Sequence, residues 1–451
     1  MKNRFSIIWG FLAAITVGTI LLMLPISNPA HAWRSFGDSL FTACSAVCIT
    51  GLTVVDPGTE LSLFGQIVLV VLVQLGCVGI MTIGTFFLVL AGRRLSLSSE
   101  FTLSNAYGAS GVSGFRGLVL WVVFSMLFFE GLGTLALHSL FEANPTSGVE
   151  MTPGGLWFQA YFFSVMSFCN AGFSLHSSSL APFGAQPLVL ATMASLVILG
   201  GFGFLVIYNI CTIQFWRRNL IKRGRLSLHT RAVLWSSIIL LIVSFILFFA
   251  FEYKGSLDPF SLPEKFAVAF FQAVTPRTCG FTVVPLNDTH PATRFISEVM
   301  MFIGAAPGGA GGGIKVTTFL VFASTLASIY RGRRDVTLFQ RTIPLDIVRE
   351  SIVIFFFYFA LVVVAMTVLL ATETGREGIT FETLLFETIS AVTTTGLSCG
   401  NTTQLLSTSG RIVLMLCMFI GRLGALTVVM LIAGKEEPTS IRYPKEELVV
   451  G

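Results

Sequence analysis

One short pattern stands at four places in the chain and decides the fold. It reads Ala46-Val47-Cys48-Ile49-Thr50-Gly51-Leu52, Cys169-Asn170-Ala171-Gly172-Phe173, Thr275-Pro276-Arg277-Thr278-Cys279-Gly280-Phe281 and Ala391-Val392-Thr393-Thr394-Thr395-Gly396-Leu397. In every copy a hydroxyl residue follows the glycine by two positions, namely Thr53, Ser174, Thr282 and Ser398. A phenylalanine precedes each glycine by ten positions, at Phe41, Phe162, Phe270 and Phe386. Four matches in register indicate an internal repeat.

The repeat covers the whole chain. Gly51, Gly172, Gly280 and Gly396 follow one another at intervals of 121, 108 and 116 residues, close to a quarter of the 451 residues. Self-similarity at such a period is typical of an architecture built from copies of one unit. We therefore predict four units, over residues 1–95, 96–222, 223–335 (with a broken second span) and 336–451, the last including a C-terminal tail.

The composition places these units in a membrane. Hydrophobic residues make up 54% of the chain and charged residues 11%, whereas a soluble domain carries about 25% charged residues. The net charge of +5 comes from short basic loops beside apolar runs, so we expect no nucleic-acid partner. The eight cysteines are scattered without metal-ligand spacing, which predicts no transition-metal site.

Eight apolar runs are long enough to cross a bilayer, which needs about 20 helical residues. They are Ser6–Leu24, Leu63–Leu90, Leu118–Leu140, Pro187–Ile213, Val233–Phe251, Phe295–Ile329, Ile352–Leu370 and Ile412–Ile432. The connecting loops are alternately rich and poor in Lys and Arg, and residues 141–186 contain neither. The positive-inside rule then predicts a multi-pass protein of the plasma membrane with both termini in the cytoplasm.

Four shorter apolar stretches precede the glycines. They are Trp33–Cys48, Leu156–Cys169, Phe266–Pro276 and Phe381–Val392. A helix of this length cannot cross the hydrocarbon core, so each is a candidate re-entrant helix. The predicted fold is an all-α integral membrane protein. Its four span–re-entrant pore helix–span repeats, eight spanning helices plus four pore helices, surround one pseudo-four-fold pore.

The segments between the short helices and the glycines are the candidate ion-binding site, a selectivity filter. Irregular backbone at membrane depth is tolerated where it lines a water-filled path, and inward-turned carbonyls can replace the hydration shell of a cation. The predicted filter residues are Cys48, Ile49, Thr50, Gly51, Cys169, Asn170, Ala171, Gly172, Arg277, Thr278, Cys279, Gly280, Thr393, Thr394, Thr395 and Gly396. The residues before each glycine differ between copies, so the four-fold symmetry is only approximate.

The sixth apolar run contains a helix-breaking stretch from Gly304 to Gly313, with six glycines and one proline in ten residues. Each glycine costs a helix about 1 kcal/mol and a proline about 3 relative to alanine, so we predict an unwound loop inside the membrane. A phosphate-binding loop is disfavoured because Ile314 separates the glycines from Lys315 and Val316 follows it. The candidate gating-loop residues are Gly304, Gly308, Gly309, Ala310, Gly311, Gly312, Gly313 and Lys315.

Two charged residues lie deep in apolar runs, where charge is costly and usually faces a cavity or a partner. Arg422 lies midway along the last run and is a candidate barrier in the pore below the filter. The alternative for Arg422 is a structural pairing with a carboxylate or with helix-end carbonyls. For Glu130, in the third run, we favour a structural role.

The quoted stretches, together with Gly308–Lys315, resemble the Trk/Ktr/HKT superfamily of potassium transporters over essentially the whole chain, and most of all its KtrB-type subunits. The resemblance implies potassium uptake, with one filter glycine per repeat, a gating loop beneath the filter and a pore-facing arginine at Arg422. Four glycines favour potassium, since some plant relatives with serine in the first copy pass sodium.

The chain carries no nucleotide-binding motif of its own, so it needs no cofactor beyond the K ion that it transports, with a possible Na dependence. The resemblance implies a second copy of the chain as a homodimer partner. It also implies a cytosolic ring of KtrA-type subunits that bind ATP or ADP.

A second hypothesis is a secondary transporter of another cation or small solute that uses a broken helix. Such transporters usually contain inverted repeats, whereas the four units here run in the same orientation. An enzyme is disfavoured, because the apolar runs contain neither a His/Glu metal motif nor a catalytic Ser/His or paired-Asp arrangement.

Overall fold

A computed structural model describes residues 2–79, 115–144, 152–212, 226–333, 335–400 and 402–424. The helices are α1 (Lys2–Met23), α2 (Phe36–Val47), α3 (Leu63–Val78), α4 (Phe115–Ala143), α5 (Pro153–Phe168), α6 (Pro187–Phe202), α7 (Phe204–Thr212), α8 (Leu228–Glu252), α9 (Leu262–Val274), α10 (Pro291–Phe302), α11 (Val316–Tyr330), α12 (Leu345–Glu373), α13 (Phe381–Thr393), α14 (Thr402–Leu405) and α15 (Thr408–Leu423). Strands β1 (Thr337–Leu338) and β2 (Arg341–Thr342) form a small antiparallel hairpin. Single 3₁₀ turns lie at Pro25–Ser27, Ala181–Phe183 and Leu286–Asp288.

Three helices of the described chain are long and apolar enough to cross a membrane: α4, α8 and α12. They confirm the spans predicted at Leu118–Leu140, Val233–Phe251 and Ile352–Leu370. Helices α6 and α7 pass the same test as a pair, bent by 95°. Helix α1 covers the predicted first span, although its described apolar part is only Ile8–Met23.

The predicted break in the sixth span is confirmed. Helix α10 ends at Phe302 and α11 begins at Val316. The ends of the break are held together, since Gly304 N donates to Ile314 O at 2.9 Å and Val316 N donates to Ala305 O at 3.1 Å. We call residues 304–315 the glycine loop.

The apolar run predicted at Pro187–Ile213 is bent rather than straight, because α6 ends at Phe202 and α7 starts at Phe204 in a new direction. Gly203 between them has φ 84°, a conformation that glycine adopts without a Cβ penalty. Gly79 and Gly424 end α3 and α15 with φ 78° and 82°. The remainders of those two predicted spans, residues 80–90 and 425–432, lie outside the described residues.

A Gly-x-x-Gly pattern explains why the three helices end where they do. It reads Gly76–Gly79, Gly200–Gly203 and Gly421–Gly424. A methyl group on the first glycine of each pattern would overlap the backbone carbonyl of Val47, Phe168 or Val392, respectively. The first glycine therefore lets the helix approach the end of a short helix, and the second turns the chain away.

The helices form a closed ring of four units. In the first, second and fourth units, the long first helix, the short helix and the second helix all pack on one another; in the third, α8 packs on both α9 and α10. The second helix of each unit also packs on the short helix of the next, in the pairs α3–α5, α6–α9, α10–α13 and α15–α2. The last pair joins the fourth unit to the first. Phenylalanines of the short helices, such as Phe41, Phe162 and Phe386, are fully buried between the packed helices.

The third unit departs from the predicted register by one residue. Phe270 is 40% exposed, and its neighbour Phe271 takes the buried position. In the other units the backbone N–H of the residue before the glycine donates to the carbonyl five positions earlier, as from Thr50 N to Ser45 O at 2.8 Å. In the third unit Cys279 N donates to Thr275 O, only four positions earlier, at 3.0 Å. The turn of the third unit is therefore one residue shorter, and the phenylalanine matched at position 270 is not the one that is buried there.

Helix starts follow ordinary capping rules. Ser62, Ser227 and Ser407 accept hydrogen bonds from backbone N–H groups in the first turns of α3, α8 and α15. Ser261 and Glu264 form a capping box at the start of α9, which satisfies two backbone donors that no helical carbonyl can reach.

Two of the predicted unit boundaries, 95/96 and 222/223, lie outside the described residues.

Candidate functional site

The four glycine segments share one backbone conformation. Gly51, Gly172, Gly280 and Gly396 have φ 90°, 70°, 84° and 87°. Two residues earlier, φ is also positive, at 55° for Ile49, 56° for Asn170, 68° for Thr278 and 52° for Thr394. Such angles are strained for β-branched residues and persist only where the surroundings impose them. Alternation of positive and negative φ turns successive carbonyls to the same side of the chain.

The four segments touch one another in cyclic order. A methyl group on a glycine would collide with the carbonyl oxygen of the residue that precedes the glycine in the next unit. These pairs are Gly51 with Ala171, Gly172 with Cys279 at 2.7 Å, Gly280 with Thr395 at 2.6 Å, and Gly396 with Thr50. We call residues 48–51, 169–172, 277–280 and 393–396 the ring segments. They enclose one axis, and the C-terminal ends of four short helices lead into them, where the helix dipole favours a cation.

Serines on two short helices anchor two adjacent segments of the ring. Gly51 N donates to Ser45 Oγ at 3.1 Å, and Gly396 N donates to Ser390 Oγ at 3.0 Å. In the third unit Thr275 Oγ1 donates to Phe281 O at 2.5 Å. These anchors were not predicted from the sequence, although Ser45 and Ser390 both lie six positions before their glycines.

A polar cavity of about 390 Å³ lies on one side of the ring, and we call it the vestibule. All four ring glycines line it, as do the four hydroxyl residues that follow them, Thr53, Ser174, Thr282 and Ser398. Asp56 and His176 also line it, and Ser177 Oγ donates to Asp56 Oδ2. Burial lowers the pKa of His176, an effect that the charge of Asp56 partly offsets, so His176 is neutral at pH 7 and Asp56 supplies negative charge. Both residues were missed as candidates.

The glycine loop lies against the opposite side of the ring. A methyl group on Gly311 would overlap Thr278 Oγ1, and one on Gly312 would overlap Thr394 Oγ1. Ala310 N donates to Gly200 O at 3.2 Å, and Phe204 N donates to Gly308 O at 3.2 Å. The loop is thus wedged between two ring segments and the break that separates α6 from α7. Of the predicted loop residues, Gly304, Gly309 and Gly313 face other backbone or Thr393 rather than the ring hydroxyls.

Two basic side chains hold the loop in place. Arg422 on α15 donates to Ala310 O, and its second nitrogen donates to Gly76 O at 2.7 Å. Lys315 Nζ donates to Gly311 O at 2.6 Å. Hydrogen bonds from charged donors contribute about 1.5–3 kcal/mol each. Arg422 therefore contacts the glycine loop through a backbone carbonyl.

One predicted filter residue has a side chain that leaves the ring. Arg277 reaches towards α8, where its Nη2 donates to Ser237 Oγ at 3.1 Å. Its side chain is therefore not a ring group, and only its backbone follows the ring segment.

Three ring hydroxyls are available for further bonding. Thr50 Oγ1, Thr278 Oγ1 and Thr394 Oγ1 are buried and have no hydrogen-bond partner within the part of the chain that the structure describes. A buried polar group without a partner is costly. Hydroxyl and carbonyl oxygens are the donor types that hard cations prefer.

Comparison with known proteins agrees with a cation pathway. Residues 1–443 match the model of the TrkH family, described as cation transport proteins. The chain belongs to the TrkH family.

Named relatives of this TrkH-family chain match it over almost its full length. The Ktr system potassium uptake protein B of Vibrio alginolyticus is 35% identical over 99% of this chain and 94% of its own length. The potassium/sodium uptake protein NtpJ of Enterococcus hirae is 32% identical over 98% of this chain and 96% of its own length. The resemblance that the sequence predicted is therefore confirmed, and the apolar helices are those of a membrane protein.

A solved structure shares the fold. The potassium transporter TrkH from Vibrio parahaemolyticus superposes with a TM-score of 0.68 at 21% identity, covering 96% of this chain and 86% of that chain. At this identity the likeness supports the fold alone.

Proposed function

We propose that this protein takes up potassium across the bacterial plasma membrane through the ring of four glycine segments, which acts as a selectivity filter. The observation that carries the proposal is the cyclic contact of each ring glycine with a carbonyl of the next unit. Such a ring can replace the hydration shell of an ion. The names of the two relatives, potassium uptake and potassium/sodium uptake, support this class of substrate.

The vestibule would face outward and the glycine loop inward. An ion would enter beside Asp56, lose water in the ring, and meet the loop beneath Thr278 and Thr394. The loop would then be the gate, with Arg422 as an electrostatic barrier beside it. Support for this role comes from its position and its contents, because a loop of small residues wedged under a pore is displaced at little steric cost.

Control would come from another polypeptide. The proposed regulator is a KtrA-type cytosolic ring that binds ATP or ADP. The chain itself would form a homodimer, with eight spans and four pore helices in each copy and with both termini in the cytoplasm. Because the four ring segments differ in sequence, the proposal includes a role for sodium as a transported or activating ion.

A potassium-requiring bacterial strain without its own uptake systems tests the proposal. Expression of the full chain should restore growth at low potassium, and purified protein in liposomes should take up potassium ahead of sodium. A well-expressed chain that neither rescues growth nor moves potassium would refute it.

The alternative, a secondary transporter of another cation or small solute, draws on the broken sixth helix. It predicts uptake coupled to a proton or sodium gradient. Uptake that follows only the membrane potential and the potassium gradient would exclude it.

A further inference from the structure

A buried acid lies directly behind the second ring segment. Glu130 is in the middle of α4 and is 2% exposed. Its Oε1 is 3.5 Å from Cys169 Sγ, the first residue of that ring segment, and Oε2 accepts a hydrogen bond from Gln74 Nε2 at 3.0 Å. An ionisable group within a span needs partners of this kind, because its isolated charge is expensive there.

The backbone of Glu130 is fixed as firmly as its side chain. Its carbonyl oxygen accepts hydrogen bonds from Ser164 Oγ on α5 and from Thr134 Oγ1, both at 2.7 Å. Gln74 on α3 also lies 3.4 Å from Tyr161 OH on α5. Glu130 therefore joins the first unit, through α3, to the short helix and ring segment of the second unit.

The contact is peculiar to one side of the ring. The residues that correspond to Cys169 are Cys48, Arg277 and Thr393. Arg277 bonds to Ser237, and Thr393 Oγ1 bonds to Ile389 O at 2.7 Å. Among the described residues, none of these three has a hydrogen bond to a carboxylate, so Glu130 makes the second ring segment different from the other three.

A short chain of contacts leads from this carboxylate to the axis. Cys169 lies two residues before Ala171, and the carbonyl oxygen of Ala171 is the one that faces Gly51. Because packed interiors transmit small displacements, the position of the Cys169 side chain sets where that carbonyl lies. Its distance from the axis in turn decides how well the ring replaces the water around a potassium or a sodium ion.

We propose that Glu130 is a positioning residue of the ring. By holding Cys169, and through it the Ala171 carbonyl, it sets the preference of the ring for potassium over sodium. This inference rests on the proposed function and adds a selectivity determinant to it.

The test compares Glu130→Gln with Glu252→Gln in the full chain. Glu252 is the matched control: it is 1% exposed, and its carboxylate accepts bonds from Thr293, Ser256 and His290, none of which is in the ring. Initial rates of potassium and sodium uptake give KM, Vmax and the ratio of the two KM values. For Glu130→Gln the ratio should shift by about tenfold towards sodium, the lower end of the effect of removing a hydrogen-bond partner of a metal ligand. Glu252→Gln should leave the ratio as in the wild type.

A double-mutant cycle asks whether Glu130 acts through Cys169. Cys169→Ala should shift the ratio in the same direction, Cys169→Ser should keep it by retaining a donor, and Glu130→Gln with Cys169→Ala should be no worse than the larger single change. The two Cys169 variants decide the matter if Glu130→Gln fails to accumulate in the membrane.

Three results would overturn the inference: an unchanged ratio in Glu130→Gln, an equal shift in the control, or additive effects in the cycle. A wild-type chain that moves no potassium would instead refute the proposed function, and the inference with it.

Discussion

The ring segments and the glycine loop are the two glycine-rich regions of the molecule, and they use glycine for different reasons. Every ring glycine has a positive φ and also lies against a neighbouring carbonyl. In the loop, Gly304, Gly309, Gly311 and Gly312 lie close to other atoms without a positive φ; only Gly308 and Gly313 combine glycine with a left-handed backbone.

The difference separates a fixed part from a displaceable one. A ring position requires glycine for two reasons: its φ is positive, and a carbonyl of the next unit leaves no space for a side chain. That carbonyl cannot move aside easily, because each unit is packed between two others. A loop glycine such as Gly312 is required only while the loop stays under the ring. Substitution should therefore destroy the ring but release the loop.

The largest effect is expected at Gly396. An alanine there must adopt φ 87° and overlap the carbonyl of Thr50, a backbone strain of about 1–3 kcal/mol before the collision is counted. Potassium uptake by Gly396→Ala should fall to background. At Gly172 the nearest atom is the Cys279 carbonyl oxygen at 2.7 Å and φ is 70°, so uptake by Gly172→Ala should also fall sharply, though less completely. Equal activity of both variants and the wild type would contradict the ring.

The second effect is expected at Arg422. Arg422→Gln loses the charged hydrogen bond to the loop at Ala310 O, so basal flux in liposomes should rise about tenfold, which corresponds to about 1.5 kcal/mol for that one bond. Arg411 on the same helix is the control, since it bonds to Asp38 at 2.8 Å and not to the loop. If basal flux rose equally in Arg422→Gln and in Arg411→Gln, the cause would be a general disturbance of α15 rather than loss of the contact with the loop.

A smaller rise is expected from the loop itself. Gly312→Ala would push against Thr394 Oγ1 while its backbone angle tolerates a side chain, so the loop should move off the ring. Basal flux should increase about fivefold, at the lower end of typical coupling energies. Gly309→Ala, whose methyl group would face the Gly201 carbonyl at 3.0 Å, is the control. Reduced flux in Gly312→Ala would count against a gating role.

The smallest effect is a pH dependence at the vestibule. Burial lowers the pKa of His176, so its imidazole stays neutral at pH 7. The imidazole gains a positive charge only when the pH on the vestibule side falls below its usual pKa of about 6.5. A positive charge there repels cations, and uptake should decline by about fivefold at most. His176→Gln should abolish the decline, whereas its persistence in that variant would assign it to another group.

Local features of the sequence were sufficient for part of this description. Four short helices lie where short apolar stretches precede the glycines, and the sixth span is broken where glycine and proline accumulate, because both depend on neighbouring residues alone. The repeat pattern likewise selected all four ring glycines. The breaks at Gly79, Gly203 and Gly424 carried a readable Gly-x-x-Gly signal, but a glycine in an apolar run looks the same whether it packs or turns.

The rest depended on contacts between distant parts of the chain. Only the tertiary structure decided that Gly51 meets Ala171 while Gly396 meets Thr50, which closes the ring. It also decided that the core position of the third unit is Phe271 rather than Phe270, that Arg277 points to Ser237, and that Arg422 holds carbonyls of two other units. The sequence by itself determined where the short helices and the break in the sixth span lie, because helix length and helix breaking are local. The order and spacing of the units around the axis come from packing, which no single segment encodes.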